Sequence, residues 1–449
     1  MIRFFLYLLI TLSPLPFASA RPLWQWLWVA VVGLMAAVYF LRSVRTPRPS
    51  WPKPLTFPVG LVFLFIVWGF AQATLPISDA QQIDVGVVDA LLVPTALISV
   101  SPQATLANAS FFLSHLIFFV IVFVYCSNPE RAVRLLRFCG IIVAIYCTYG
   151  FIVFAAGNTT VLWYEKTSSL NTLTSTFINR NTFAAYAGLG LQCLVAYAYS
   201  RLHLQLAEGQ AFFRHISQTN LATITWLLIA IILITTSIIL TNSRAGFVSI
   251  FSATLLLVIL SQQKRLSARF GLSSIIGSLV IIVVAASIYD LSGDTLNQRL
   301  QADFNQDGRF KIYALVQEAI ADRPVTGFGL GTFSDVFREY RDQSVAAFYE
   351  RAHNDYLEIV LTAGIPASII LFTAFISLLV ILAGRLQYGN QYRSFIALGL
   401  TVTVQLCQHS LLDFPLQMPA NSYLWCAILA ASLALADHGK RNFRRDHPL

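Results

Sequence analysis

The sequence predicts an all-α polytopic membrane protein of about 12 transmembrane helices with one large loop outside the membrane. Of its 449 residues 57% are hydrophobic and only 11% are charged, which lies outside the range of soluble domains. Apolar runs of about 20 residues recur from end to end, each long enough to cross the hydrocarbon of a bilayer. The net charge of +9 comes from short basic clusters between those runs, the pattern of orientation signals, so a nucleic-acid partner is excluded.

In chain order, the predicted spans are approximately 4–19, 24–41, 56–73, 109–126, 138–156, 182–200, 221–240, 247–261, 272–289, 356–384, 394–411 and 421–437. The first ends in Ala18-Ser-Ala20 and is read as a helix in preference to a cleaved signal peptide. The span 356–384 contains Gly364-Ile-Pro366, where the helix breaks or bends. The six cysteines lie in or beside apolar runs without Cys-x-x-Cys spacing and are read as small hydrophobes. His115, alone in an apolar helix, is read as a core residue. Three regions follow: membrane helices over 1–160, a membrane core over 161–437 with the outer loop 290–355, and a basic tail over 438–449.

Orientation follows from the loops. One alternate set, with both termini, holds 19 Lys and Arg against four acids, and the other holds 11 bases and 17 acids. The first set is therefore cytoplasmic, both termini included. The longer connections, 74–108, 157–181, 290–355 and 412–420, belong to the opposite side with the turn Thr241-Asn-Ser-Arg-Ala-Gly246, so chemistry is expected there. Loop 290–355 is read as a small cap carrying an amphipathic helix near 309–321 and a turn over Pro324–Gly331.

The most polar helix entrance in the chain is Arg351-Ala-His-Asn-Asp-Tyr-Leu-Glu358. Asp355 followed by Glu358 reads as a capping-box variant, so a helix is expected to start at Asp355 and to leave His353 just outside its N-terminus. The positive end of the helix dipole disfavours an imidazolium, which suits a proton acceptor. A plain polar cap is the competing reading. Arg180, in Asn179-Arg-Asn181, and Arg244, in Ser243-Arg-Ala-Gly246, lie at outer helix ends on the same face as His353. Such arginines either anchor lipid headgroups or fork onto phosphate oxygens. Arg309, Asn354, Asn181 and His409 complete the candidate set as substrate-binding residues, with ion pairing to Asp303 or Asp307 the competing reading for Arg309.

Other motifs are set aside. Asp303–Gly308 imitates the start of an EF-hand, but the twelfth position is Ala314 where a glutamate is required, so no metal site is expected. Gly327-x-Gly-x-Gly331 lacks a phosphate-loop lysine and is read as a tight turn. His409, Ser410 and Asp413 have no nucleophile elbow near them and are expected to shape the outer rim of the site.

Taken in order, Asn-Arg-Asn (179–181), Ser-Arg-Ala-Gly (243–246), Gly-Arg-Phe (308–310), Pro-Val-Thr-Gly-Phe-Gly-Leu-Gly (324–331), Ala-His-Asn-Asp-Tyr-Leu (352–357) with Gly364, and His-Ser-Leu-Leu-Asp-Phe (409–414) resemble the O-antigen ligase and O-antigen polymerase superfamily. The similarity spans roughly 170–420. It implies a metal-independent, cofactor-free GT-C-like glycosyltransferase in the bacterial inner membrane with a periplasmic active site. The enzyme would take a glycan from undecaprenyl diphosphate and pass it to a lipid A-core or growing polysaccharide acceptor. On that resemblance His353 is the essential histidine, and Arg180 and Arg244 bind the diphosphate. A protein O-oligosaccharyltransferase shares the chemistry. A bicarbonate-type transporter is disfavoured, because no Asp, Glu, Lys or Arg falls in the middle of a predicted span.

Overall fold

The structure, a computed structural model, describes residues 1–43, 51–77, 97–206, 221–262, 308–343, 345, 349–388 and 390–446. Helices dominate. In the first half these are α1 (Ile2–Leu12), α2 (Pro22–Ser43), α3 (Lys53–Gln72), α4 (Pro102–Tyr125), α5 (Pro129–Ala155), α6 (Arg180–Leu206), α7 (Leu221–Leu240) and α8 (Arg244–Ser261). There follow α9 (Gly308–Asp322), α10 (Phe333–Tyr340), α11 (Asp355–Ala363), α12 (Ile365–Arg385), α13 (Arg393–His409) and α14 (Pro419–Asp446). A two-stranded hairpin, Thr160–Val161 with Tyr164–Glu165, lies between α5 and α6.

Among the described residues, eight helices are long and apolar enough to cross a membrane: α2, α3, α4, α5, α7, α8, α12 and α14. The remaining predicted spans fare differently. The run 4–19 yields only the 11-residue α1 before a turn over Pro14–Ser19, too short to cross about 30 Å of hydrocarbon. Span 394–411 becomes α13, of 17 residues. Span 182–200 lies inside the 27-residue α6, which is long enough but carries Gln192 in its middle. Span 272–289 and loop residues 290–307 fall outside the described residues.

Burial separates centre from periphery. The apolar window of α14 is 100% buried and that of α2 only 17%, and every residue of α6 from Thr182 to Leu194 is buried. Thus α6 and α14 form the centre. α6 is packed by α5, α7, α8 and α13, and α14 by α4, α5 and α13. Where α6 meets α13, Gln192 donates to Gln405 Oε1 at 2.6 Å and Gln405 donates to the Ala185 carbonyl at 2.9 Å. These bonds pair both ends of the Gln405 amide and the Nε2 of Gln192, tying α6 to α13. His115 is likewise satisfied, with Nδ1 2.7 Å from the Phe111 carbonyl, Nε2 2.8 Å from Ser422 Oγ and its ring stacked on Tyr423.

The Gly-Pro signal is a complete break between α11 and α12. Gly364 has φ +84, and an added Cβ would lie 2.1 Å from the Val325 carbonyl oxygen, so no other residue fits. The carbonyls freed at the end of α11 are all taken. Phe328 N donates to Leu361 O, Gly329 N and the buried Gln72 amide donate to Thr362 O, and Trp68 Nε1 donates to Ala363 O, at 2.8–3.1 Å. The loop Pro324–Gly331 and α3 therefore cap α11 where its own hydrogen bonds run out.

The cap formed by α9 to α11 has its own small core. Ile312, Val316 and Ala319 of α9 pack with Phe333, Val336 and Phe337 of α10, and Leu361 of α11 joins them. The amphipathic helix expected near 309–321 is thus α9, seated on α11, and the cap shares its core with the helix that carries the polar entrance.

Candidate functional site

Asn354, not Asp355, caps α11. Its Oδ1 accepts from the Tyr356 and Leu357 amides, both at 3.0 Å, as an N-cap side chain should. Its Nδ2 donates to the Leu411 carbonyl at 3.1 Å. Both ends of the Asn354 amide are engaged in setting the helix start. Glu358, one turn into α11, reaches back to the Ala352 amide at 2.9 Å and pairs with Arg351 at 3.1 Å.

These bonds leave His353 in the left-handed region, φ +53, a conformation that is uncommon outside glycine and gathers at functional sites. Its carbonyl accepts from Tyr313 of α9 at 2.8 Å, and Phe414 packs edge-on to the ring at 4.8 Å. The buried Nδ1 faces Asp413 Oδ1 at 3.6 Å, within ion-pair distance but longer than a hydrogen bond. With the side chain 22% exposed, Nε2 is the nitrogen left toward the accessible side.

Asp413 is fully buried. It faces His353 and accepts from Asn181 Nδ2 of α6 and from the Phe414 amide at 2.8 Å. Burial works to raise its carboxyl. The neighbouring imidazole of His353, the charge of His409 and the Phe414 amide outweigh burial and hold it below the ordinary carboxylate range. His409 is also fully buried, and Ser410 is 2% exposed. The stretch expected to shape the rim is therefore the wall behind His353, with His409 buried near enough to Asp413 for its charge to be felt there.

The two arginines approach from neighbouring helix starts. Arg180 is the first residue of α6, directly before Asn181, and Arg244 the first of α8, whose N-cap Ser243 accepts from Gly246 N at 3.2 Å. A Cβ on Gly246 would lie 2.8 Å from that of Ala184, so the first turns of α6 and α8 touch. Both arginines are partly exposed. Asn181 thus ties the Arg180 end of α6 to the His353–Asp413 pair, with Arg244 on the adjoining helix. Arg309 is the second residue of α9.

On the other face of α11 lies a mainly apolar cavity of ≈ 210 Å³. Phe111, Phe372, Phe375 and Trp425 line its body, and Arg351, Asp355, Glu358 and Gln417 its polar parts. Asp355 accepts from Ser410 Oγ at 2.7 Å and from Gln417 Nε2 at 2.9 Å. Burial nevertheless pushes its carboxyl up to about 7, against the lowering effect of those two bonds.

Sequence reasoning names His353 and misses Asp413 as its partner. Asp413 stands 60 positions later, and contacts made only in the folded chain, among them Asp355 N to Ser410 O at 3.0 Å and Asn354 Nδ2 to Leu411 O at 3.1 Å, bring the two stretches together.

Helices able to cross a membrane identify a multi-pass membrane protein, and at one end of them stand a carboxylate–imidazole pair and two arginines. Residues 229–372, from α7 to α12, match the family described as O-antigen ligase. A search of curated proteins gives no match. The matched segment contains Arg244 and His353; Arg180 and Asp413 lie on either side of it.

Proposed function

We propose that the protein is a GT-C-like glycosyltransferase that moves a glycan from undecaprenyl diphosphate to a sugar hydroxyl at the periplasmic face of the inner membrane. The supporting observation is the His353–Asp413 pair, with Nδ1 against a buried carboxylate and the opposite ring edge accessible. Nε2 accepts the proton of the acceptor hydroxyl as its oxygen bonds to the anomeric carbon. The bond from that carbon to the lipid diphosphate breaks, and the electron pair leaves with the diphosphate. Asp413 stabilises the imidazolium and fixes the ring's orientation. Arg180 and Arg244 hold the diphosphate and offset the charge that develops on it, a task suited to preorganised guanidinium groups. Attack opposite the leaving group inverts the anomeric centre. The energy comes from the sugar–phosphate bond, so no step calls for a metal or a nucleotide. The apolar cavity beside α11 suits the hydrocarbon of a lipid substrate.

A transporter is less well supported, since the polar side chains buried deep between α6 and α13 are the neutral pair Gln192 and Gln405. The test is a deletion strain assayed for glycan on lipid A-core, free polysaccharide chain length and glycoprotein, together with transfer by purified protein in EDTA. Loss of one product, with transfer unaffected by chelation, is expected. No change in any of the three products overturns the proposal.

A further inference from the structure

A second concave site lies at the far end of α6. Arg201 comes 20 residues after Asn181, about 30 Å along the helix, which is one hydrocarbon thickness from the His353 site. A pocket of ≈ 400 Å³ opens there between the start of α5, the end of α6 and the segment entering α13. Arg134 and Arg137 of α5 and Arg201 of α6 line it, with Glu130 as the carboxylate among its walls and Val133 and Phe395 as apolar ones. Arg137 lies over Tyr197 and Trp226, its guanidinium carbon 5.6 and 5.5 Å from the ring centroids. Among the described residues, no carboxylate lies within ion-pair distance of Arg134, Arg137 or Arg201, whereas nearby Asp437 is engaged by Arg385 at 3.3 Å and Arg441 at 3.1 Å.

We propose that this pocket binds the phosphate headgroup of an acidic phospholipid. Three guanidinium groups against one carboxylate leave a net charge of about +2 in a concavity, and guanidinium forks fit phosphate oxygens. Its distance from the opposite site puts it at headgroup depth, where basic pockets between transmembrane helices hold anionic lipids. The apolar walls beside the arginines suit the first carbons of the acyl chains. Such a lipid joins α5, α6 and the start of α13. The other ends of α6 and α13 carry Asn181 and His409, so the bound lipid fixes the spacing of the helices that support Asp413. This inference goes beyond the proposed transfer reaction and does not depend on it.

Detergent-purified protein titrated with phosphatidylglycerol or phosphatidylcholine, followed by thermal melting and by native mass spectrometry, tests it. Phosphatidylglycerol is expected to raise Tm and stay bound, less so at high salt, and phosphatidylcholine to do neither. Arg134→Gln with Arg201→Gln leaves the stacked Arg137 in place and should weaken phosphatidylglycerol binding by about 30-fold. Should the double variant not accumulate, each single variant is expected to weaken binding about fivefold. Undiminished binding in the variants, or equal binding of phosphatidylcholine, overturns the proposal. A shift with inorganic phosphate but none with phosphatidylglycerol overturns it too, assigning the pocket to a soluble phosphate compound.

Discussion

Asp355 and Asp413 are both buried, the first 8% and the second 0% exposed, and the same loop over 410–417 supplies partners to both. Their protons behave in opposite ways. Asp355 receives only neutral donors, Ser410 and Gln417, and burial pushes its carboxyl up to about 7. Asp413 receives the Phe414 amide and the charge of two imidazoles, and is held low although it is the deeper of the two. Depth does not decide the protonation state of a buried acid; the charge of its partners does. The result is a short helix, α11, with an anionic group behind its N-terminal histidine on one side and a group balanced near neutrality toward an apolar cavity on the other.

The largest expected effect comes from removing what separates the two acids. His353→Ala should insert and melt much like the wild type, because the side chain is partly exposed and adds little packing. Transfer should fall about a hundredfold or more, the scale of a lost general base, while the lipid diphosphate still binds. His353→Gln should be nearly as slow, since an amide can hold a hydroxyl but cannot take its proton. A Gln variant as fast as wild type would exclude proton transfer and leave orientation alone.

Asp413→Asn keeps the volume but removes the charge behind the ring. Turnover is expected to drop by about 10- to 100-fold, with the pH–rate profile displaced because the imidazolium loses its counterion. An unchanged pH profile with unchanged rate would make Asp413 a packing residue. Smaller again, Arg180→Lys or Arg244→Lys keeps the charge and loses the fork, so activity and lipid-diphosphate binding should each weaken about tenfold. Two Lys variants with wild-type turnover would identify both residues as headgroup anchors.

The asymmetry between the two acids is only half legible in the sequence. His353, the helix behind it and the break at Gly364 stand out because polar residues and glycine are conspicuous in an apolar chain. The sequence pattern places the cap one residue late, since Asn354 and Asp355 are both good caps and only the backbone decides between them. Asp413 is visible as a residue type beside His409 and Ser410. Without a nucleophile elbow the trio suggests a rim, and its pairing with His353 depends on a contact across 60 residues. Hydropathy locates the helices but does not distinguish α2, whose window is 17% buried, from α14, wholly buried, because protein and lipid surroundings are equally apolar. The arginines at the start of α5 and the end of α6 read as orientation signals, and the pocket they share appears only once α5 and α6 are packed together.

The smallest effect on rate should come from Asp355→Asn, and it sharpens the comparison most through stability. In the folded protein Asp355 keeps its proton up to about pH 7, whereas in the unfolded chain it ionises near pH 4. Between those values the folded state binds more protons, so this group's contribution to stability is full below about pH 4 and is lost as pH rises to about 7. An asparagine in its place would mimic the protonated acid, accepting from Gln417 and donating to Ser410 Oγ, with nothing to titrate. Asp355→Asn is therefore expected to raise Tm by about 2–5 °C at pH 8 and to leave it nearly unchanged at pH 5, with transfer altered by less than about threefold. Asp413 has the opposite sign: its contribution is fully present above about pH 4, where the unfolded chain is ionised, and is lost only on acidification below that, so Asp413→Asn should cost Tm evenly from pH 8 to about pH 5 and progressively less below about pH 4. Melting curves of the two variants in detergent across that range decide the matter, and two curves that shift in the same direction would show that burial alone governs both acids.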